Sequence, residues 1–163
     1  MLIIEAKKPK HYVVPSIAVH RFFSREALIE QIEVFFENSA SPEDNKQKPK
    51  VVVLQALGGQ GKSQLALELC RRFKDCRDVF WIDASSKATT QRSFEVIAEV
   101  LNKGAASLLE DTESKVKLVL DTIKGWEDRW LIVYDNYDHP DIFKDIKQCM
   151  PKGELNYYLH VDC

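Results

Sequence analysis

Short apolar runs alternate with longer stretches of mixed polarity along this chain. Three of the runs are rich in β-branched or aromatic residues and have the length of buried strands, and they cover residues 51–57, 79–84 and 130–134. The last residues, GELNYYLHVDC, have the composition of one further strand. Strands that alternate with helices are typical of α/β proteins, so the pattern predicts a mostly parallel sheet of about four strands.

The stretches between the runs place apolar residues three and four positions apart, which is the spacing of one helix face. The pattern predicts helices over residues 24–38 and 62–73, two more that end near Gly104 and Gly125, and a short one after Pro140. The residues expected on their buried faces are Leu28, Ile32, Phe35 and Phe36; Leu65, Leu69, Cys70 and Phe73; Phe94, Ile97, Ala98 and Leu101; Val116, Val119, Leu120 and Ile123; and Ile142, Phe143 and Ile146.

Two segments lack a periodic pattern. Residues 1–21 contain Pro9 and Pro15, and we expect an extended lead-in there rather than a stable element. Residues 39–50 are polar and contain prolines, which predicts an exposed loop. The lead-in would therefore be followed by one domain over residues 22–163.

Composition narrows the class of protein. At 163 residues the chain has enough length for one core, and 45% hydrophobic with 29% charged residues is typical of a globular protein. A net charge of -2 argues against nucleic acid as the main partner. No apolar run reaches the length of a membrane span or of a signal peptide, and the four cysteines lack metal-ligand spacing. We therefore expect a cytoplasmic protein with reduced thiols and no membrane association.

The segment after the first predicted strand has the chemistry of a phosphate cradle. Gly58, Gly59 and Gly61 let the backbone wrap an anion, while Lys62 would reach the terminal phosphates and Ser63 would meet Mg²⁺, as in the P-loop pattern GxxxxGK[ST]. The chain departs from this pattern at its first glycine. The residues predicted to surround the nucleotide phosphates are Ala56, Leu57, Gly58, Gly59, Gln60, Gly61, Lys62, Ser63 and Gln64.

The third predicted strand, WLIVY, runs directly into Asp135. A carboxylate at the carboxyl end of a buried strand is the second half of a P-loop site, where it positions Mg²⁺ through water. The sequence therefore predicts Asp135 and Ser63 as the metal-binding residues.

Together these segments resemble the nucleotide-binding domain of the STAND P-loop NTPases, of the NB-ARC type found in fungal and plant innate-immune and cell-death receptors. FFSREALIEQI is similar to the hhGRE segment that covers the adenine, ALGGQGKSQLALEL to the glycine-rich loop and its helix, VFWIDASS to the segment at the second strand, and WLIVYDNYDHP to the Walker B strand. The resemblance implies a three-layer αβα sandwich that binds ADP or ATP with Mg²⁺, and it assigns Phe23 and Arg25 to the nucleotide.

The chain also departs from the family's pattern. Ser24 replaces the glycine of the hhGRE segment, and Ala56 replaces the first glycine of the glycine-rich loop. Asn136 occupies the position where many members carry a second acidic residue that prepares the attacking water. Asn can orient water but cannot accept its proton, so we expect at most slow ATP hydrolysis, with Asp138 as the remaining candidate base.

The last segment, LNYYLHVD, falls where the family inserts a strand between the P-loop strand and the Walker B strand. It lacks the sensor arginine of that strand, and the resemblance thus implies an incomplete, truncated domain.

The leading hypothesis is thus an ADP/ATP-binding domain of a signalling switch. A small P-loop phosphotransferase, such as a metabolite kinase, is the alternative from the enzyme class. A third hypothesis is a protein-interaction fragment without a nucleotide role, which would pair through an exposed sheet edge or with a full-length relative.

Overall fold

The computed structural model describes residues 10–17, 25–37, 50–126, 128–137, 144–150 and 157–162, the last of these as backbone only. Strands and helices alternate through these ranges, as the sequence predicts. In chain order the elements are β1 (Tyr12–Val13), α1 (Glu26–Glu37), β2 (Lys50–Gln55), α2 (Lys62–Phe73), β3 (Asp78–Asp83), α3 (Lys87–Ser107), α4 (Thr112–Lys124), β4 (Trp130–Asp135), a 3-10 helix (Lys144–Cys149) and β5 (Tyr157–Asp162).

The five described strands form one sheet in the order β1-β3-β4-β5-β2, and every pair is parallel. The predicted α/β class with a parallel sheet is confirmed, with one strand more than expected. The final strand β5 lies between β2 and β4, which is the position that the family resemblance implies. Because all strands run the same way, the carboxyl ends of β2, β3 and β4 meet at one edge of the sheet.

Two apolar clusters cover the two faces of the sheet and make the fold three layers thick. On β3 and β4 alternate side chains enter opposite clusters, as the pleat of a strand requires. One cluster holds α1 and α2 against Val79, Trp81, Leu131 and Val133, and the other holds α3, α4 and the 3-10 helix against Phe80, Ile82, Ile132 and Tyr134. Both central strands are buried throughout, apart from the half-buried Asp83, which explains their continuous apolar runs.

The predicted helix faces agree with the structure in most positions. The four residues predicted for α2 are buried, and burial raises the pKa of the Cys70 thiol, which is a neutral core group. The prediction was wrong for Phe35, which is 46% exposed because α1 turns Ile29, Ile32 and Phe36 to the core. The ring of Phe35 lies 5.5 Å from the ammonium of Lys50, which also donates to the Phe35 carbonyl.

Helix α3 departs from its predicted end. We expected Gly104 to mark it, but the backbone leaves helical geometry at Asn102 (φ -158°, ψ 81°) and resumes as far as Ser107. The side chain of Asn102 accepts a hydrogen bond from the backbone N–H of Ala105, so it caps the second stretch locally. Helix α4 ends at Gly125 as predicted.

The N-terminal lead-in contains a strand that the sequence did not reveal. Strand β1 pairs with β3 at the margin of the sheet, and buried Asp78 holds it there. The Asp78 carboxylate accepts from the backbone N–H of His11 at 2.8 Å and lies 2.8 Å from its Nδ1. Nζ of Lys10 lies 3.4 Å from Oδ2 of Asp78 and 2.9 Å from Oδ2 of Asp128. Burial alone would lower the pKa of Lys10, but the two carboxylates raise it overall.

The segment after β4 was predicted to form a short helix, and the structure shows a 3-10 helix over Lys144–Cys149. Ile146 is buried as expected, while Ile142 and Phe143 lie outside the described residues. The hydroxyl of Tyr134 donates to the carbonyl of Cys149 at 2.6 Å and ties this segment to β4. Within the described ranges, no helix combines the length and the apolarity that crossing a bilayer requires.

We expect Asp111→Ala to lower the melting temperature by a few degrees at neutral pH, because the Asp111 carboxylate caps α4 by accepting from the Ser114 N–H at 2.7 Å. The hydroxyl and backbone N–H of Ser114 hold the pKa of Asp111 below its ordinary value of 3.8. The contribution of the cap is therefore present above that ordinary value and disappears as the pH falls below it through the folded pKa. Melting curves should show the difference from wild type shrinking as the pH falls below 3.8, while Glu99→Ala, an exposed control in α3, shows no such trend.

Candidate functional site

The loop between β2 and α2 has a backbone that requires glycine at two positions. Gly59 and Gly61 have φ angles of +76° and +79°, in the left-handed region that other residues rarely adopt. A Cβ on either residue, or on Gly58, would meet no atom within 4 Å, so the backbone angle rather than crowding demands glycine here. Ala56 and Leu57 lie outside that region, which is consistent with alanine at the first position of the motif.

Helix α2 begins at the end of this loop without a side-chain cap. Gly61 occupies the cap position, and the first turn contains no acidic residue. Ser86 and Asp111 cap α3 and α4 through their side-chain oxygens. The first N–H groups of an uncapped helix and its dipole favour an anion at this end.

Lys62 lies folded over the loop. The residue is only 8% exposed, and its ammonium donates to the carbonyl of Ala56 at 2.8 Å and to that of Leu57 at 3.1 Å. These two carbonyls keep the buried charge solvated by hydrogen bonds. The lysine is thus held within reach of the space that the loop encloses.

Ser63 and Asp135 meet across 72 positions of sequence. The hydroxyl of Ser63, in the first turn of α2, donates to Oδ1 of Asp135 at 2.9 Å. Asp135 ends β4 and is 6% exposed, so the fold and not the local sequence brings the two side chains together. A hydroxyl and a carboxylate are hard oxygen ligands of the kind that Mg²⁺ prefers in nucleotide sites.

Arg25 contacts the same loop from the start of α1. Its guanidinium donates to the carbonyl of Gln60 at 2.9 Å. The neighbouring Glu26 accepts from Arg72 near the other end of α2 at 2.7 Å, and this contact is the main cause that raises the pKa of Arg72. Helix α1 is therefore attached to both ends of α2.

The predicted site residues that the structure describes come from three places in the chain: Arg25, residues 56–64, and residues 135–136. Residues 56–64 form the loop and first helical turn, with Leu57 and Gln60 exposed and Gln64 half-buried. Asn136, next to Asp135, is exposed and has a φ of +64°, which asparagine tolerates. Phe23 and Asp138 lie outside the described residues.

Asp83 lies at the same carboxyl end of the sheet, although the sequence motifs did not point to it. It ends β3 in register with Asp135 on β4, so two carboxylates stand at neighbouring strand ends. The backbone N–H of Asp83 donates to the Ser93 hydroxyl at 3.2 Å, and its carbonyl accepts from Thr90 at 3.1 Å. The signal was available, because VFWID ends in an acid just as WLIVYD does.

Comparison with known proteins gives one informative relationship. No family model matches the chain. A protein from Hyaloscypha variabilis, named nucleotide-binding leucine-rich repeat (NLR)-like protein, is 28% identical over 157 residues. The alignment covers 91% of this chain and 15% of the relative, so the chain spans about 15% of the length of the protein that it matches. The chain is therefore similar to part of an NLR-like protein.

Proposed function

We propose that this chain is the ADP/ATP-binding P-loop domain of an NB-ARC type signalling switch, with Mg²⁺ bound beside the nucleotide phosphates. The observation that carries the proposal is the hydrogen bond between Ser63 and Asp135 at the mouth of the glycine-rich loop. Each residue alone is a common feature of α/β proteins. Their meeting beside a buried lysine and an uncapped helix is the arrangement that a metal-nucleotide site needs.

The residues present fit a nucleotide phosphate. The backbone N–H groups at the start of α2 would bind phosphate oxygens, and Lys62 would exchange the neutral carbonyls of Ala56 and Leu57 for a phosphate anion. A phosphate carries a full negative charge that a carbonyl lacks, and its Coulomb attraction to the ammonium favours that exchange. Arg25 would hold the loop in place through Gln60 while the exchange occurs.

Ser63 and Asp135, at the carboxyl end of the sheet, fit a magnesium ion. Ser63 would bind Mg²⁺ directly and Asp135 would hold it through water, because Mg²⁺ keeps several waters in sites of this kind. The bound ion would supply positive charge that neutralises the phosphates. Asn136 would orient water without accepting its proton, so we infer that hydrolysis of ATP is slow.

Cytoplasmic location and protein partners belong to the same proposal. The relative's name describes a nucleotide-binding protein with leucine-rich repeats, which supports a role for this domain in signalling. Among the described strands β2 lies at one end of the sheet, and Val51 and Val53 on it are 46% and 55% exposed. The outer side of strand β2 is the surface through which we propose pairing with another protein segment.

We expect Asp135→Asn to abolish the dependence of nucleotide binding on Mg²⁺. The wild-type protein should bind ADP and ATP more tightly with Mg²⁺ than with a chelator, because the ion links the phosphates to Ser63 and Asp135. Asparagine can still accept from Ser63 but has no charge to hold the metal's water shell. Calorimetric titration of both nucleotides, with and without Mg²⁺, measures the difference.

The matched control is Asp121→Asn, the same change at an exposed position of α4. It should leave both affinities as in wild type. A wild-type protein that binds neither nucleotide contradicts the proposed function. Binding that stays Mg²⁺-dependent in Asp135→Asn contradicts the metal assignment alone.

A further inference from the structure

A cavity of about 620 Å³ lies beside β1 at the carboxyl end of the sheet, outside the glycine-rich loop. Its apolar lining includes Val14, Pro15 and Ile17, which follow β1, and Val96 and Val100 of α3; we call these two groups its walls. Asp83, Asp135 and Asn136 close one end of the cavity. We name this cavity the acidic cleft.

The walls of the acidic cleft expose apolar surface to an unusual extent. Tyr12, Ile17, Val96 and Val100 all line it, and each is between 42% and 51% exposed. Val96 and Val100 are one helical turn apart, so they present a continuous apolar strip. Clustered apolar surface of this kind marks an interaction site more often than isolated exposed residues do.

The charged residues that line the acidic cleft are all negative. Two carboxylates line it, and the described lining residues include no lysine, arginine or histidine. Asp83 makes no ion pair within the described part of the chain, and Oδ1 of its carboxylate accepts a hydrogen bond from the backbone N–H of Ser85 at 3.0 Å. Ser93 and Thr90 fix the Asp83 backbone, so this carboxylate sits on a rigid support.

We propose that the acidic cleft docks a segment of a partner protein that carries an arginine or lysine between apolar side chains. The charge complements Asp83 and Asp135, and the apolar neighbours would cover the two walls. A small molecule usually buries most of its surface in its site, whereas these half-exposed walls suit a segment that continues beyond the cleft. The proposal requires no bound nucleotide, and it shares Asp135 with the proposed metal site.

The test uses the whole chain in the presence of a chelator and without nucleotide, because Asp135 also belongs to the proposed metal site. Three synthetic peptides are titrated into ¹⁵N-labelled protein: acetyl-Val-Ile-Arg-Phe-Val-amide, its glutamine analogue, and acetyl-Gly-Gly-Arg-Gly-Gly-amide. We expect the first to bind about tenfold more tightly than either of the others, since it alone offers both the charge and the apolar cover. Amide shifts should change at Asp83, Ser93, Val96 and Val100.

Two variants separate the contributions of charge and wall. Asp83→Asn keeps the hydrogen bond to Ser85 and should reduce the preference for arginine over glutamine to less than about threefold. Val100→Lys places a cation in the wall and should prevent binding of the arginine peptide, with an unchanged circular dichroism spectrum as evidence of folding. Asp121→Asn, the exposed control, should bind all three peptides as wild type does.

The proposal is wrong if the glutamine peptide binds as tightly as the arginine peptide, or if the glycine-flanked arginine does. It is also wrong if shift changes map to the glycine-rich loop or the α4 surface, or if none of the three peptides binds at millimolar concentration. Each of these outcomes leaves the nucleotide proposal untouched.

Discussion

Replacing Lys62 with alanine is expected to weaken ADP and ATP binding by roughly ten- to a hundredfold, which corresponds to the 1.5 to 3 kcal/mol of a hydrogen bond to a charged group. The ammonium is held over the loop by the carbonyls of Ala56 and Leu57, within the segment that would enclose the phosphates. Removing it takes away the charged donor that the phosphates would meet there. Isothermal titration calorimetry of wild type and variant measures the loss directly.

The control for this prediction is Lys74→Ala, which removes an exposed lysine at the other end of α2. It should bind nucleotides as wild type does. Lys62→Ala also leaves two loop carbonyls without their lysine partner, so its melting temperature without nucleotide must be recorded beside the titration. Unchanged nucleotide affinity in a folded Lys62→Ala protein rules out the assigned site.

Replacing Phe80 with alanine is expected to lower the free energy of unfolding by about 3 to 5 kcal/mol. Phe80 is fully buried on β3, where it faces the α3 and α4 side of the sheet, and its ring lies 6.1 Å from that of Trp126. Truncation of the side chain leaves a cavity in the core. Strand β3 cannot move to fill it, because it is hydrogen-bonded to β1 on one side and to β4 on the other. Urea denaturation followed by circular dichroism gives the free energy of unfolding.

Phe35→Ala is the matched control, since it makes the same change at a half-exposed position of α1. The Phe35 ring lies 5.5 Å from the ammonium of Lys50 and 5.8 Å from the ring of Phe36, outside the buried core, so the cost of this substitution should stay below about 1 kcal/mol. An equal cost for the two substitutions contradicts the placement of Phe80 in the core.

Much of the architecture follows from local patterns in the sequence. The apolar runs predicted β2, β3 and β4 to within one or two residues. Strands β3 and β4 are apolar without interruption because they are buried on both faces, whereas β2 was recognised by its β-branched residues. Helix α2 was predicted with both ends correct, since its start coincides with the glycine-rich motif. The place of β5 in the sheet came from the family resemblance, because periodicity does not reveal strand order.

The errors arose where distant residues decide the structure. Strand β1 depends on Asp78, which lies 67 positions away from His11 in sequence. Both Phe35 and Phe36 were predicted to be buried, and the exposure of Phe35 depends on how α1 is rotated against its neighbours, which apolar spacing does not determine. The strand β1 and the orientation of α1 both depend on contacts between residues far apart in sequence, which a local sequence pattern does not show.

The candidate site divides in the same way. Lys62, Ser63 and Asp135 could be predicted because their residue types and spacing express phosphate and metal chemistry. The bonds from Lys62 to the loop carbonyls and from Arg25 to Gln60 could not, because they depend on side-chain conformations within the folded loop. The acid that ends VFWID could be recognised in the sequence, but the pairing of β3 with β4 that places Asp83 beside Asp135 could not.

The attachment of α1 has a mechanical consequence. Arg25 and Glu26 are neighbours in sequence. Arg25 donates to the carbonyl of Gln60 in the loop, whereas Glu26 accepts from Arg72, three turns along α2. A displacement of the loop relative to α2 must stretch one of these two contacts or rotate α1. The start of α1 thus ties the position of the glycine-rich loop to that of Arg72 on α2.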